Sequence, residues 1–170
     1  MGVHDHKMEA KNEIEKVTAA VVTVSDSRTE KTDLSGKIIV ELLQQDGHQV
    51  VATSLIPNDS QFIEEKLFEL SGQRIQCIVF TGGTGLSPRD VTLDAVRRHF
   101  DKTLTGFGEL FRFLSFQEIG SAAMLSRAEA GIVGCSLVVS LPGSPNAVRL
   151  ALEKLIIPEL RHIVSQLSRH

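Results

Sequence analysis

The segment Thr81-Gly82-Gly83-Thr84-Gly85-Leu86-Ser87-Pro88-Arg89-Asp90 concentrates residue types that could do chemistry. Three glycines and two threonines occupy its first five positions. Glycine lets backbone N–H groups turn toward an anion and lets that anion approach the chain closely. Arg89 adds a planar, charged fork suited to phosphate. A bare carboxylate at Asp90 would repel phosphate, and a divalent cation between the two removes the conflict. The segment therefore points to phosphate with magnesium. The simpler alternative is a Gly-rich turn between strand and helix. It is not a Walker A loop, because no lysine follows the glycines. Nor is it a dinucleotide fingerprint: Gly83-Thr84-Gly85 begins one, but Pro88 stands where the next glycine belongs.

The surrounding sequence supplies elements to hold this loop. Val17 to Val24 is continuous and β-branched, as in a strand buried on both faces. Leu34 to Gln45 carries Ile38, Ile39, Leu42 and Leu43 at helical spacing, with Gly47 as a stop. A strand follows over His48 to Ile56. The next helix is expected to be capped by Ser60, to use Ile63, Leu67 and Leu70, and to end at Gly72. Ile75 to Phe80 is the strand that leads into the glycines. Thr92 is expected to cap a helix over Leu93 to Phe100. A helix over Gly108 to Glu118, a short one over Ser121 to Leu125 and a short strand at Ile132-Val133 fill the middle. After the strand Ser136 to Leu141, Ser144-Pro145 opens a long helix to Ser168, which Pro158 should kink or interrupt. Alternating strands and helices predict a three-layer α/β/α domain around a mostly parallel sheet.

Composition narrows the class. The 170 residues, 42% hydrophobic and 23% charged, suit one globular domain, and no apolar run reaches membrane-spanning length. A net charge of −3 gives no basic excess for nucleic-acid binding. Met1 to Lys16 is charged, with no apolar core of a secretory signal. It reads as a flexible or arm-like segment before a domain over residues 17–168, and a cytoplasmic location is expected. His4-Asp5-His6 is too isolated to be read as a metal site. Cys77 and Cys135 lie in or beside apolar runs and are expected to be reduced core residues.

Ligands of open parallel sheets bind at the carboxyl ends of the strands. Four strands here lead into Ser25-Asp26-Ser27-Arg28, Pro57-Asn58-Asp59, the Thr81–Asp90 loop and Pro142-Gly143-Ser144-Pro145-Asn146. Turn residues and caps account for some of this clustering. The carboxylates Asp59 and Asp90, with Arg89, exceed what capping requires. Five segments together resemble the molybdopterin-binding family of molybdenum cofactor biosynthesis, the MoaB/Mog type. They are Ser25-Asp26-Ser27, Asp33-Leu34-Ser35-Gly36, Ile56-Pro57-Asn58-Asp59, Thr81 to Asp90, and Leu141 to Asn146, in preserved order over residues 17–166.

The resemblance implies a molybdopterin adenylyltransferase, which joins molybdopterin to AMP from Mg-ATP and releases pyrophosphate. It implies Asp59 and Asp90 as catalytic acids that hold or position Mg²⁺. Thr81, Gly82, Gly83, Thr84, Gly85 and Arg89 would form the phosphate cradle. Ser25 and Ser27 could donate to phosphate or cap the following turn, and Asp26 could orient that loop or touch magnesium at longer range. Pro142, Gly143, Ser144, Pro145 and Asn146 would wall the pocket. Ser126-Arg127 could contact pterin or phosphate, or form a surface ion pair. Glu109 could contact pterin or mark a helix first turn, and Asp94 reads as a helix-start charge. The resemblance also implies a homotrimer or hexamer and a separate downstream molybdate-inserting enzyme. The alternatives are a non-catalytic molybdopterin-binding, carrier or scaffold domain, and the molybdate-inserting reaction itself, which normally goes with extra domains.

Overall fold

The structure, a computed structural model, describes residues 14–168. The His4-Asp5-His6 trio and most of the expected N-terminal arm lie outside the described residues. In chain order the elements are β1 (Thr18–Val24), α1 (Leu34–Gln45), β2 (Gln49–Ile56), α2 (Ser60–Gly72), β3 (Cys77–Thr81), α3 (Thr92–Arg97), β4 (Lys102–Thr103) and α4 (Thr105–Ile119). A 3-10 turn (Gly120–Leu125), β5 (Glu129–Val133), β6 (Ser136–Leu141), α5 (Pro145–Ala151), a π-helical turn (Leu152–Ile156) and α6 (Ile157–Leu167) follow.

The six strands form one sheet in the order β2-β1-β3-β6-β5-β4. β2, β1, β3 and β6 run parallel, whereas β5 runs antiparallel to β6 and β4 antiparallel to β5. The antiparallel edge has a simple cause. Only Gly134 and Cys135 separate β5 from β6, and a parallel crossover needs a dozen residues or more. Gly134 makes this turn at φ +58°. The turn also exposes Cys135, contrary to the expectation of a core thiol. Cys77 is buried in β3, and burial pushes its thiol pKa up to about 12.

Both faces of the parallel strands are apolar. Ala19, Val21, Cys77 and Val79 pack toward Ile39 and Leu43 of α1, Phe111 of α4, Val148 of α5 and Leu160 of α6. Ala20, Val22, Ile78 and Phe80 pack toward Ile63 and Leu67 of α2 and Leu93 and Val96 of α3. The result is a three-layer α/β/α domain. Each fully buried aliphatic side chain in it stabilises the fold by about 1.5–3 kcal/mol. No helix of the described residues is long and apolar enough to cross a membrane.

Several caps differ from those expected. Asp59, not Ser60, caps α2, accepting from the backbone N–H of Gln61 at 2.8 Å. Ser60 lies inside the helix and donates to Glu64 Oε1 at 2.9 Å. Val91 holds the cap position of α3, which is shorter than expected, and the buried Thr92 hydroxyl caps nothing. The left-handed residue that turns the chain from α2 into β3 is Arg74 (φ 57°) rather than Gly72. Ser144 caps α5 with Pro145 in its first turn, as expected. The interruption expected from Pro158 takes the form of the π turn directly before it, because proline has no N–H to continue the helical ladder.

His48 is buried, and its Nδ1 accepts the Val17 N–H at 3.2 Å. Burial and the Arg161 guanidinium hold its pKa below the ordinary 6.5, against the pull of Asp46. The folded chain therefore prefers the neutral ring, and the unfolded chain takes up the proton first as pH falls. Stability from this group is full above pH 6.5 and is lost as pH falls below it. The melting temperature should drop between about pH 7.5 and about pH 5.5, and His48→Gln should make that drop smaller. A variant with the same drop would show that other groups carry the dependence. Asp59→Ala should lower stability by about 1 kcal/mol in urea denaturation, and Asp59→Asn, which still caps, should not.

Candidate functional site

The strand register lines up the loops. Thr23 pairs with Thr81, and Thr81 with Leu141, so β1, β3 and β6 end at the same level. From β1 the chain winds outward to β2 on one side, and β3 and β6 lie on the other, so β1 and β3 flank the switch point. A cavity of about 550 Å³ opens there. Ligands of open α/β sheets occupy this position.

The glycine loop forms its floor. Gly82 and Gly83 leave β3 in the left-handed region, at φ 94° and 62°. No side chain fits at either place. A Cβ on Gly82 would strike the Val24 carbonyl oxygen, and one on Gly83 would lie 2.6 Å from Asn58 Oδ1. The loop is tied down by Gly82 N–H to the Leu141 carbonyl and by Thr92 N–H to the Gly83 carbonyl, at 3.0 and 2.9 Å. The N–H groups of Gly83, Thr84 and Gly85 make no hydrogen bond among the described residues. They are the donors that an anion would use. Asp90 closes the loop, its Oδ2 accepting the Ser87 N–H at 3.1 Å.

Twelve of the expected residues line the cavity: Ser25, Ser27, Gly82, Gly83, Thr84, Gly85, Asp90, Ser126, Arg127, Pro142, Gly143 and Ser144. Ser25 Oγ accepts the N–H groups of Ser27 and Arg28 at 3.3 and 3.1 Å, so it shapes its turn and keeps its own proton to donate. Arg127 forms the ion pair considered for it and also lines the cavity. It pairs with Asp94 at 2.5 Å and donates to the Gly85 carbonyl at 3.2 Å. Asp94 sits in the first turn of α3, as expected.

Seven others stand elsewhere. Asp26 orients loops, accepting the Asn58 N–H at 2.9 Å. Thr81 Oγ1 donates to the Pro142 carbonyl at 3.0 Å, fixing the β6 loop from behind. Asp59 is exposed, caps α2 through its Oδ1 and is not among the residues that line the cavity. Arg89 is exposed, and its carbonyl receives the Asn58 side-chain amide. Glu109 lies exposed on α4, while Pro145 and Asn146 are spent in the first turn of α5.

Arg28 was not among the expected residues, although it directly follows Ser27. It lines the cavity, donates to the Gly143 carbonyl at 2.7 Å and stands 3.8 Å from Asp33. Phe111, Ser115, Ile119, Ala122 and Leu125 also line it. They come from α4 and the 3-10 turn, and nothing local in the sequence marks them. The cavity thus combines free amides, two guanidinium groups and one carboxylate with an apolar wall. Among the described residues no cluster of three or more His, Cys, Asp or Glu forms a protein cage for a metal. A magnesium ion carried on nucleotide phosphates needs only one or two carboxylates, and Asp90 beside the glycine amides fits that requirement.

Known proteins match this chain along most of its length. Residues 20–162 match the family described as "Probable molybdopterin binding domain". Molybdenum cofactor biosynthesis protein B of Bacillus cereus is 46% identical over 99% of both chains, and that of Bacillus subtilis 43% over the same shares. A crystal structure of a molybdenum cofactor biosynthesis protein B superposes with a TM-score of 0.88, at 46% identity over 91% of this chain and 98% of that one. The tungsten cofactor synthesizing protein MoaB of Pyrococcus furiosus does so with a TM-score of 0.83, at 38% identity over 92% and 99%. With its sheet, its switch-point cavity and these full-length likenesses in agreement, the chain belongs to the molybdopterin-binding-domain family of MoaB and Mog proteins.

Proposed function

We propose that this protein acts in molybdenum cofactor biosynthesis by adenylylating molybdopterin with Mg-ATP. The observation that carries the reading is the switch-point cavity, where unpartnered glycine amides, Arg28, Arg127 and Asp90 converge. The relatives named for molybdenum cofactor biosynthesis support the choice of substrate.

In this reaction a terminal phosphate oxygen of molybdopterin attacks the α-phosphorus of ATP. The new P–O bond forms as the bond to the α,β-bridging oxygen breaks, and pyrophosphate leaves with that electron pair. The nucleophile is ionised near neutral pH, because its second pKa is about 6. No general base is required. Phosphoryl-type transfer asks the protein for positioning and for charges aimed at the transition state. The amides of Gly83, Thr84 and Gly85 and the guanidinium groups of Arg28 and Arg127 bind phosphate oxygens. Asp90 would hold a magnesium ion that arrives with the nucleotide, and that ion would supply charge neutralisation. Phe111, Ile119 and Leu125 give a flat ring an apolar wall. The adenylylated product then passes to a molybdate-inserting enzyme.

Pyrophosphate release from Mg-ATP should depend on molybdopterin, with the adenylylated pterin identified by mass. Asp90→Asn should lower turnover by at least about a hundredfold while molybdopterin still binds. Wild-type turnover in that variant would remove Asp90 from the mechanism. Molybdopterin binding without any pyrophosphate release would make the wild-type protein a carrier instead. Asp59→Asn keeps the cap, so a fall in turnover would bring a second carboxylate into the reaction.

Copies of the chain assemble through α4 in this reading. Leu110, Phe113, Phe116 and Ile119 recur every third residue there, and each is more than half exposed. Met124 and Leu125 in the following 3-10 turn are also more than half exposed, and exposed apolar surface of this kind marks an interface. Light scattering should give three or six times the 18.6 kDa chain mass, and Phe113→Asp should yield a smaller species. A wild-type monomer would overturn the assembly.

A further inference from the structure

A second cavity, of about 340 Å³, lies beside the first and shares Ser126 and Arg127 with it. It gathers Arg97, Arg112 and Arg127 with Thr103, Thr105 and Glu129. The three guanidinium groups are not equally committed. Arg97 lies 3.3 Å from the Glu129 carboxylate, and Arg127 lies 2.5 Å from that of Asp94. Arg112 has no carboxylate partner among the described residues. Its Nη1 donates to the Ala128 carbonyl at 3.3 Å. A guanidinium has five N–H donors, so most of those on Arg112 remain for a ligand.

Gly108 makes room for this arrangement. A Cβ there would lie 2.9 Å from Arg112 Nη2 and 3.0 Å from the Ala128 carbonyl oxygen. Glycine inside a helix is destabilising relative to alanine. Here the missing Cβ is the space in which the guanidinium folds back against α4 and turns into the cavity.

We propose that this second cavity is an oxyanion subsite that takes the pyrophosphoryl end of the nucleotide, with Arg112 as its uncommitted cation. The choice of pyrophosphate rests on the adenylylation reading. The oxyanion chemistry rests on the three arginines. Arg127 joins the two cavities through its bond to Gly85, so an α-phosphate on the glycine loop leaves the β- and γ-phosphates on the Arg112 side.

The test is calorimetric titration of the full-length protein with inorganic pyrophosphate. Arg112→Gln should weaken binding about tenfold. Arg112→Lys should fall between, because it keeps the charge without the fork. Gly108→Ala, which displaces the guanidinium but keeps it, should also weaken binding and serves if Arg112→Gln fails to fold. Arg149→Gln, on an exposed face and paired with Glu153, should leave binding unchanged. Unchanged affinity in Arg112→Gln and Gly108→Ala, or an equal loss in Arg149→Gln, would overturn the subsite. Adenylylation measured alongside separates the two ideas. Arg112-dependent pyrophosphate binding without any adenylylation retains the subsite and discards the reaction. Full adenylylation by Arg112→Gln, with undiminished inhibition by added pyrophosphate, discards the subsite and retains the reaction.

Discussion

Three backbone segments crowd together at the carboxyl edge of the sheet, and at Gly82 they leave no room for a side chain. Gly82 passes beneath the Val24 carbonyl, and Gly143 sits so that its Cβ would lie 3.3 Å from the Gly82 Cα. This contact follows from parallel pairing. β3 is hydrogen-bonded on both sides, to β1 and to β6, at the same register, so the three chains leave the sheet side by side. A left-handed turn through Gly82 and Gly83 carries β3 away without collision. The same turn leaves the following amides pointing at open space. Close packing and anion binding thus have one geometric origin.

Charge at this edge is graded by how firmly each group is held. Asp33 is occupied by the Thr23 hydroxyl at 2.5 Å and the Gly36 N–H at 2.9 Å, and it also steadies Arg28. Arg127 is held by Asp94 and the Gly85 carbonyl. Asp90 is held by one backbone N–H and faces the cavity. Asn58 ties the loops together, donating its backbone N–H to the Asp26 carboxylate and its side-chain amide to the Arg89 carbonyl. Groups held in advance need less ordering when ligand arrives, which is where positioned sites gain their effect.

The antiparallel edge brings in the remaining wall. The Gly134-Cys135 turn reverses the chain between β5 and β6, and β4 pairs outside them. α4 starts just after β4, crosses the sheet face through Phe111 and delivers the 3-10 turn and Ser126-Arg127 to the cavity. A wholly parallel sheet would give this segment a different anchor. The exposed apolar stripe of α4 lies next to the residues it contributes to the cavity wall.

The layers and the glycine loop were legible from local pattern. Continuous β-branched runs mark strands buried on both faces, and glycines packed into five positions mark a backbone that needs left-handed turns. Helix limits at Leu34, Gln45 and Pro145 also agree with the sequence reading. Asp59 shows where local reading stops. One carboxylate at a strand–helix junction can cap, bind a cation or do both, and only the folded geometry shows that Asp59 commits its Oδ1 to the start of α2. Arg28 and Arg112 became notable for the converse reason. Their partners, at Gly143 and Ala128, lie 115 and 16 residues away. Composition and periodicity determine elements because those depend on neighbours along the chain. Which charges end up paired and which stay free depends on contacts between distant segments, and tertiary packing alone decides that.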